Sequence, residues 1–384
     1  MNWKEKLEKR WGQPLKFGFQ CETLSADIFR VTRQNISAQT LRRACGFIQS
    51  GTKMSENTKI ILHHYIGSKS QVVSENLHES EINFLVPFIK DFFQIPLSSF
   101  EDFNYQNACA KIAQRLFEKP ALLESLGPFL AKNPIAQIYF FERLPFIDGL
   151  AGHYADWLTV YAQEKTDEQA QFYSMALLCW GQKLSQQNWQ KLNWKKTLPS
   201  EKKLKTWHPF LRARAAILGV WEAYENKDAE LLQTRIQRCI EEHSEIYLTS
   251  KNQRYFPFYE WIMVEGLHLI EHFKESEYFA KLYFQYLKPS DLFPIEPGYH
   301  EAIRVFQYRN AVMLNDDKSI QKLKKEIQIE NVIFLGKRYF RILYNLTQLN
   351  GPYLHSKRKK QIQQQLREDI AATGYTFFEN NFSG

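Results

Sequence analysis

Residues 210–240 read FLRARAAILGVWEAYENKDAELLQTRIQRCI, and residues 258–287 read FYEWIMVEGLHLIEHFKESEYFAKLYFQYL. In both, apolar residues recur at the three- and four-residue spacing of one helix face. With an offset of 47 residues, Gly219, Lys227, Asp228, Leu231, Leu232, Ile236 and Ile240 align with Gly266, Lys274, Glu275, Tyr278, Phe279, Tyr283 and Leu287. Each copy reads as a long helix with a small residue mid-face, a charged turn and a second amphipathic helix. A weaker copy runs from Asn310 to Ile327, with its turn at Asn315-Asp316-Asp317. Helix pairs of this kind cannot bury their apolar faces alone, so they stack on their neighbours. The expected fold is all-α, with an α-solenoid as its main body.

Outward from this stretch the same period continues. Helices are expected over Leu150–Tyr161, Phe172–Leu184, Phe210–Tyr224, Phe258–Phe273, Ala302–Leu314, Phe334–Leu349 and Lys357–Ala371. Breaks fall at Lys119-Pro120, Asn133-Pro134, Pro199-Ser200, Pro289-Ser290 and Gly351-Pro352. This places a helical array over 104–384, a transitional segment with Pro87 and Pro96 over 71–103, and a small module over 1–70. The repeat unit resembles a lengthened, degenerate tetratricopeptide repeat, without that family's full spacing of Trp, Leu-Gly, Tyr, Ala, Phe and Pro. The resemblance implies a concave surface that takes a peptide or protein, or a homodimer contact. Tyr255, Phe256, Phe258, Tyr259 and Trp261 hold more rings than one inward stripe can bury. Some of the five are therefore expected to form a partner-binding surface.

The composition, 44% hydrophobic and 24% charged, is that of a globular chain. No stretch approaches the ~20 apolar residues of a membrane span. The first ten residues lack the apolar core of a signal peptide. Cys21, Cys45, Cys109, Cys179 and Cys239 are scattered, with no Cys-x-x-Cys pair, and read as reduced, buried thiols. These features point to the cytoplasm and to no membrane.

Charge is concentrated at one end. Residues 1–70 hold seven Lys and five Arg against five acidic residues, a balance of +7 out of +8 for the whole chain. Such a local field attracts polyanions, above all nucleic acid. Three short helices are legible in this module. Ser25 caps one running to about Thr32, Ser37 caps one ending at Cys45 before Gly46, and Ser55 caps one ending at Gly67. Ile28, Ile36, Leu41, Ala44, Phe47, Ile61, Leu62 and Ile66 supply a shared core. The short link Arg33-Gln34-Asn35-Ile36 forces the second helix to cross the first steeply.

The segment LSADIFRVTRQNISAQTLRRACG, residues 24–46, followed by SENTKIILHHYIG, residues 55–67, resembles the helix-turn-helix of phage-repressor-like DNA-binding domains. Ile36-Ser37, Thr40-Leu41, Gly46, Ser55, Thr58 and Ile66-Gly67 carry the likeness. Ile28 or Phe29 stands where the family has Ala, and Met54 where it has Pro. The resemblance implies that the helix from Ser37 to Cys45 enters the major groove. Ala38 and Leu41 would then face the core, Gln39 would read adenine, and Arg42 or Arg43 guanine or phosphate. Ser37 and Thr40, on the same entry turn, would also contact the nucleic acid, and Arg30, Arg33, Lys53 and Lys59 would contact phosphates.

Other motifs carry less. Gly46-x-x-x-x-Gly51-Thr52-Lys53 nears a phosphate-binding loop, but its last pair is reversed and a helix precedes it. Glu265, His268 and His272 share a helix face, yet no second Glu-x-x-His copy completes a dimetal set, so they read as an ordinary amphipathic face. Lys357-Arg358-Lys359-Lys360 reads as a solvated helix start. No catalytic constellation, metal site or cofactor is expected, and an enzyme is not. The expectation is a DNA-binding regulator whose helical array senses a peptide or protein or dimerises. The alternative is an interaction scaffold whose N-terminal module is purely structural.

Overall fold

A computed structural model of the chain describes residues 3–11, 14–15, 18, 20–32, 34, 36–48, 54–67, 82–95, 102–249, 258–286, 296–350 and 356–381. Among these residues every regular element is helical. The chain divides into two compact units, residues 1–88 and 89–384.

The first unit is built from α1 (Trp3–Trp11), α2 (Gln20–Thr32), α3 (Ala38–Ala44) and α4 (Glu56–Gly67). Two of the three sequence-derived caps are present. The Ser37 hydroxyl accepts from the Thr40 N–H and the Ser55 hydroxyl from the Thr58 N–H, each at 3.2 Å. Gly46, at φ +77°, takes the left-handed position after α3 that few side chains adopt without strain. Ser25 is different. α2 begins five residues earlier, at Gln20, and the Ser25 hydroxyl donates to the Ile36 carbonyl at 2.5 Å, tying α2 to the entry of α3. The core joins Leu7, Leu15, Cys21, Leu24, Ile28, Ile36, Leu41, Ile61, Leu62 and Tyr65. Ala44, Phe47 and Ile66 are only partly buried against it.

A helix over 82–92, α5, spans the division between the units. The second unit continues with α6 (Phe103–Glu118), α7 (Pro120–Lys132) and α8 (Pro134–Gln137), which runs on as a π turn over Ile138–Arg143. Then come α9 (His153–Glu164), α10 (Glu168–Leu184), α11 (Glu201–Leu204), α12 (Pro209–Glu225) and α13 (Ala229–Thr249). The rest is α14 (Phe258–His268), α15 (Phe273–Tyr286), α16 (Glu296–Met313), α17 (Asp317–Glu326), α18 (Lys337–Asn350) and α19 (Ser356–Thr373). α12–α13, α14–α15, α16–α17 and α18–α19 pack as consecutive pairs, and α10, α12, α14, α16 and α18 lie side by side in that order.

The turns inside α12–α13, α14–α15 and α16–α17 repeat, and the turn after α10 has the same form. Gln186, Lys227, Glu271 and Asn315 all adopt φ between 55° and 63°. At each, the N–H of the left-handed residue reaches back three residues and the next N–H reaches back five, as from Lys227 to Tyr224 and from Asp228 to Ala223. Lys227, Glu271 and Asn315 are 44 residues apart in turn. The structural period is therefore 44, not the 47 read from the aligned glycines. The helix expected over Phe258–Phe273 breaks at Leu269–His272, and Lys274-Glu275, read as the turn, lie inside α15.

Helix approach is closest where glycine faces a neighbour. A Cβ on Gly266 would lie 1.9 Å from Cγ1 of Ile217, so α14 seats on α12 only with hydrogen at this position. The Gly266 carbonyl also accepts from Trp221 Nε1 at 2.8 Å. The far end of the row returns to its beginning. Tyr339 of α18 meets Trp180 of α10 edge-on at 5.8 Å, and the Tyr375 hydroxyl bonds the Ile147 carbonyl. Asp148, in a 3-10 turn, accepts from the N–H groups of Arg338 and Tyr339 at 2.8 and 2.9 Å and so caps α18.

The enclosed interior is aromatic with buried polar groups set in it. Trp261 meets Tyr299 at 4.9 Å and Phe340 at 5.9 Å. The Arg214 guanidinium lies over the Trp180 ring at 4.8 Å and 3.7 Å from the Glu265 carboxylate. Burial pushes Glu265 up to about 8 against the pull of Arg214. Burial also pushes His268 down to about 3, and its Nδ1 lies 3.0 Å from Asn310 Oδ1. Glu265 and His268 are thus interior groups rather than members of an open amphipathic face. Among the described residues no three His, Cys, Asp or Glu side chains could share a metal ion.

Candidate nucleic-acid interface

α3 is the element on which the DNA expectation rests. Leu41 is fully buried and Ala38 packs partly against the core, so the opposite side of the helix carries the polar residues. Gln39 and Arg43 are exposed there. Neither forms an ion pair or hydrogen bond among the described residues. The Gln39 amide can both donate and accept, as adenine requires, and the Arg43 guanidinium can fork onto guanine or phosphate.

Ser37 and Thr40 are less available. Their hydroxyls lie 2.9 Å apart, and Ser37 already caps the helix. Arg42 is committed inward. Its Nε donates to the Gly18 carbonyl at 2.8 Å, and a terminal nitrogen pairs with Glu22 at 2.7 Å. The guanidinium therefore braces α3 against the start of α2. Lys59 pairs with Glu56 one turn earlier on α4, at 2.5 Å. The side chain of Arg30, and the whole of Arg33 and Lys53, lie outside the described residues.

α1 supplies what the sequence reading did not assign. Leu7 points inward, while Lys6 and Lys9 are exposed and form no ion pair among the described residues. Arg10 donates to the Tyr65 carbonyl at 3.0 Å and stacks over the Tyr65 ring at 4.9 Å. The Tyr65 hydroxyl reaches Asp27 at 2.5 Å, so α1, α2 and α4 are tied by one bridge. Cys21 and Cys45 are both buried, and burial pushes Cys45 up to about 12. A thiol so far above its ordinary value is packing rather than a nucleophile. Lys4 lies over the Phe47 ring at 5.0 Å, so among the described cations of the unit Lys6, Lys9 and Arg43 are those with neither an ion pair nor a ring contact.

The aromatic surface expected near residue 255 is not found where it can be seen. Tyr259 is 0% and Trp261 4% exposed, both within the core of the second unit. Tyr259 donates to Glu242 and the Cys239 carbonyl, and Trp261 fills the centre of the helix row. α14 is covered on more than one side: Tyr259 packs toward α13 and α15, and Trp261 toward α16 and α18. Tyr255, Phe256 and the Phe258 side chain lie outside the described residues.

Comparison with family models, with curated proteins and with solved structures finds no match for this chain.

Proposed function

We propose that this protein is a DNA-binding regulator, in which the first unit is a helix-turn-helix module and the second a tetratricopeptide-like solenoid that senses a signal or dimerises. The observation that carries the reading is the two-sidedness of α3. Its apolar side is locked into the core of the first unit, and its free side presents Gln39 and Arg43 within residues 1–70, whose charge balance is +7. The solenoid part of the reading draws support from the consecutive helix pairs and the turns 44 residues apart. One observation favours the scaffold reading instead. Arg42, the neighbour of Arg43, is spent on Gly18 and Glu22, which is the behaviour of a structural brace.

Gel retention on mixed-sequence duplex DNA separates the two. The regulator reading expects the full chain to shift the duplex and a chain starting at Ile89 to lose that shift. Equal retention by the shortened chain, or none by either at low salt, excludes it in favour of the scaffold.

A further inference from the structure

Between α6, the 3-10 turn at Ile147–Gly149 and the start of α18 lies a cleft of about 640 Å³ within the second unit. That size falls in the ~300–1,000 Å³ range of small-molecule sites. Its apolar wall is aromatic: Phe117 stacks on Phe146 at 4.1 Å, with Phe334 6.2 Å from Phe117. Gly298 forms part of the lining, where a Cβ would come within 2.7 Å of the Ile333 backbone.

The charges around the cleft are unevenly committed. Each acid already has a donor. Asp148 holds two backbone N–H groups of α18, Glu118 accepts from Gln114 at 3.1 Å, and Glu330 pairs with Lys337 at 3.0 Å. Among the basic residues, Lys337 is spent on Glu330 and Arg341 on a two-point bond to Asp369. Lys111 and Arg338 remain. Both line the cleft, both are exposed, and neither forms an ion pair among the described residues. The N-terminus of α18 contributes nothing further, because Asp148 occupies its first free N–H groups. Lys111 and Arg338, two cations without an ion pair among the described residues although the Arg338 charge also acts on Asp148, stand beside an aromatic wall and form an anion site with an apolar shelf, and a concave low-dielectric wall strengthens their field.

We propose that this cleft binds a small organic anion, a carboxylate or phosphate monoester carried on an aromatic or apolar body, with Lys111 and Arg338 holding the anionic head and the Phe117–Phe146 stack the body. The site belongs to the second unit alone and does not depend on whether the first unit contacts DNA. In a regulator it is where a metabolite signal enters.

The test is calorimetric titration of the full chain with phenyl phosphate, benzoate, inorganic phosphate and phenol. Phenyl phosphate, benzoate or both should saturate one site per chain, and whichever binds names the head group. Phenol, which lacks the charge, and inorganic phosphate, which lacks the body, should each bind at least about tenfold more weakly, since a charge-assisted bond contributes about that factor. Lys111→Ala and Arg338→Gln, both exposed positions, should each raise Kd about tenfold with an unchanged circular dichroism spectrum. Lys111→Glu should abolish binding. Failure of both organic anions to bind at millimolar concentration overturns the proposal, as does an unchanged Kd in Lys111→Glu. Equal binding of phenol also overturns it. DNA retention is measured separately without probe, so a negative result here leaves the DNA reading standing, and the converse.

Discussion

Arg42 and Arg43 are adjacent in sequence and opposite in role, and separate alanine replacements should show it. Arg42 makes two bonds to α2 and its preceding turn, at 2.8 Å to Gly18 and 2.7 Å to Glu22. The Glu22 side chain is 68% exposed, so the ion pair itself contributes only ~0–1 kcal/mol. The half-buried bond to the Gly18 carbonyl adds ~0.5–1.5 kcal/mol. Arg42→Ala should therefore destabilise the first unit by about 1–2 kcal/mol. The Arg43 side chain forms no ion pair or hydrogen bond among the described residues, and Arg43→Ala should stay within ~0.5 kcal/mol of the parent. On DNA the order reverses. Losing one phosphate contact lowers the salt slope of log Kobs by about 0.9, and losing a guanine contact costs ~1–3 kcal/mol. Arg43→Ala should show one or the other, whereas Arg42→Ala should leave the slope unchanged once folded. Urea denaturation and fluorescence anisotropy on a duplex read the two effects. An Arg43→Ala protein that binds DNA as the parent does refutes the assignment of α3, and so does an Arg42→Ala protein with parental stability but a lower slope.

Gly266→Ala should destabilise the second unit by ~1–3 kcal/mol, because the added methyl meets Ile217 at 1.9 Å and cores resist overpacking. Pairing it with Ile217→Ala should recover part of that loss relative to the sum of the single changes, read as a shift in urea midpoint. Lys227→Gly and Glu271→Gly should each stabilise by about 0.5–1 kcal/mol, since both positions hold left-handed backbone that glycine adopts freely. A loss of stability in either would show that the side chain matters more than the turn. Burial pushes Asp148 up to about 7 from its ordinary 3.8, so the native state holds a proton that the unfolded chain releases between those values. That contribution to stability is present at low pH and is lost as pH rises from about 4 to about 7. Asp148→Asn should lack this component, which the difference between parent and variant urea midpoints across that window measures.

The helix pairs were readable because their apolar spacing is strong, and the ends of α3 and α4 because Ser37, Gly46 and Ser55 are local signals that act through one or two backbone bonds. The turn at Glu271 was not readable. Its left-handed residue is a glutamate, its neighbours Leu269 and Ile270 continue the apolar run, and the charged Lys274-Glu275 pair a few residues on mimics a turn. The start of α2 was obscured by Ser25, a good capping residue whose hydroxyl bonds the Ile36 carbonyl instead, a contact that exists only once α3 has docked. The inward commitment of Arg42 depends on Gly18 and Glu22, some twenty residues away, and no spacing rule encodes it. The burial of Tyr259 and Trp261 has the same origin. A lone helix has one buried stripe, but α14 lies between α12 and α16 with α15 packed against it, so more than one stripe is covered. The cleft beside α18 joins residues near 111, 148 and 338, which only the return of the helix row brings together.

The central claim is that the first unit carries a phosphate-binding face. Anisotropy of the full chain on a mixed-sequence duplex, titrated from about 50 to about 200 mM salt, tests it most directly. Lys6, Lys9 and Arg43 are the cations with neither an ion pair nor a ring contact among the described residues of that unit, and at about 0.9 per neutralised phosphate they set a slope near −2.7 or steeper. The account predicts that slope for the full chain and no binding by residues 89–384. Absence of binding at the lowest salt, or an equal slope from residues 89–384, contradicts it.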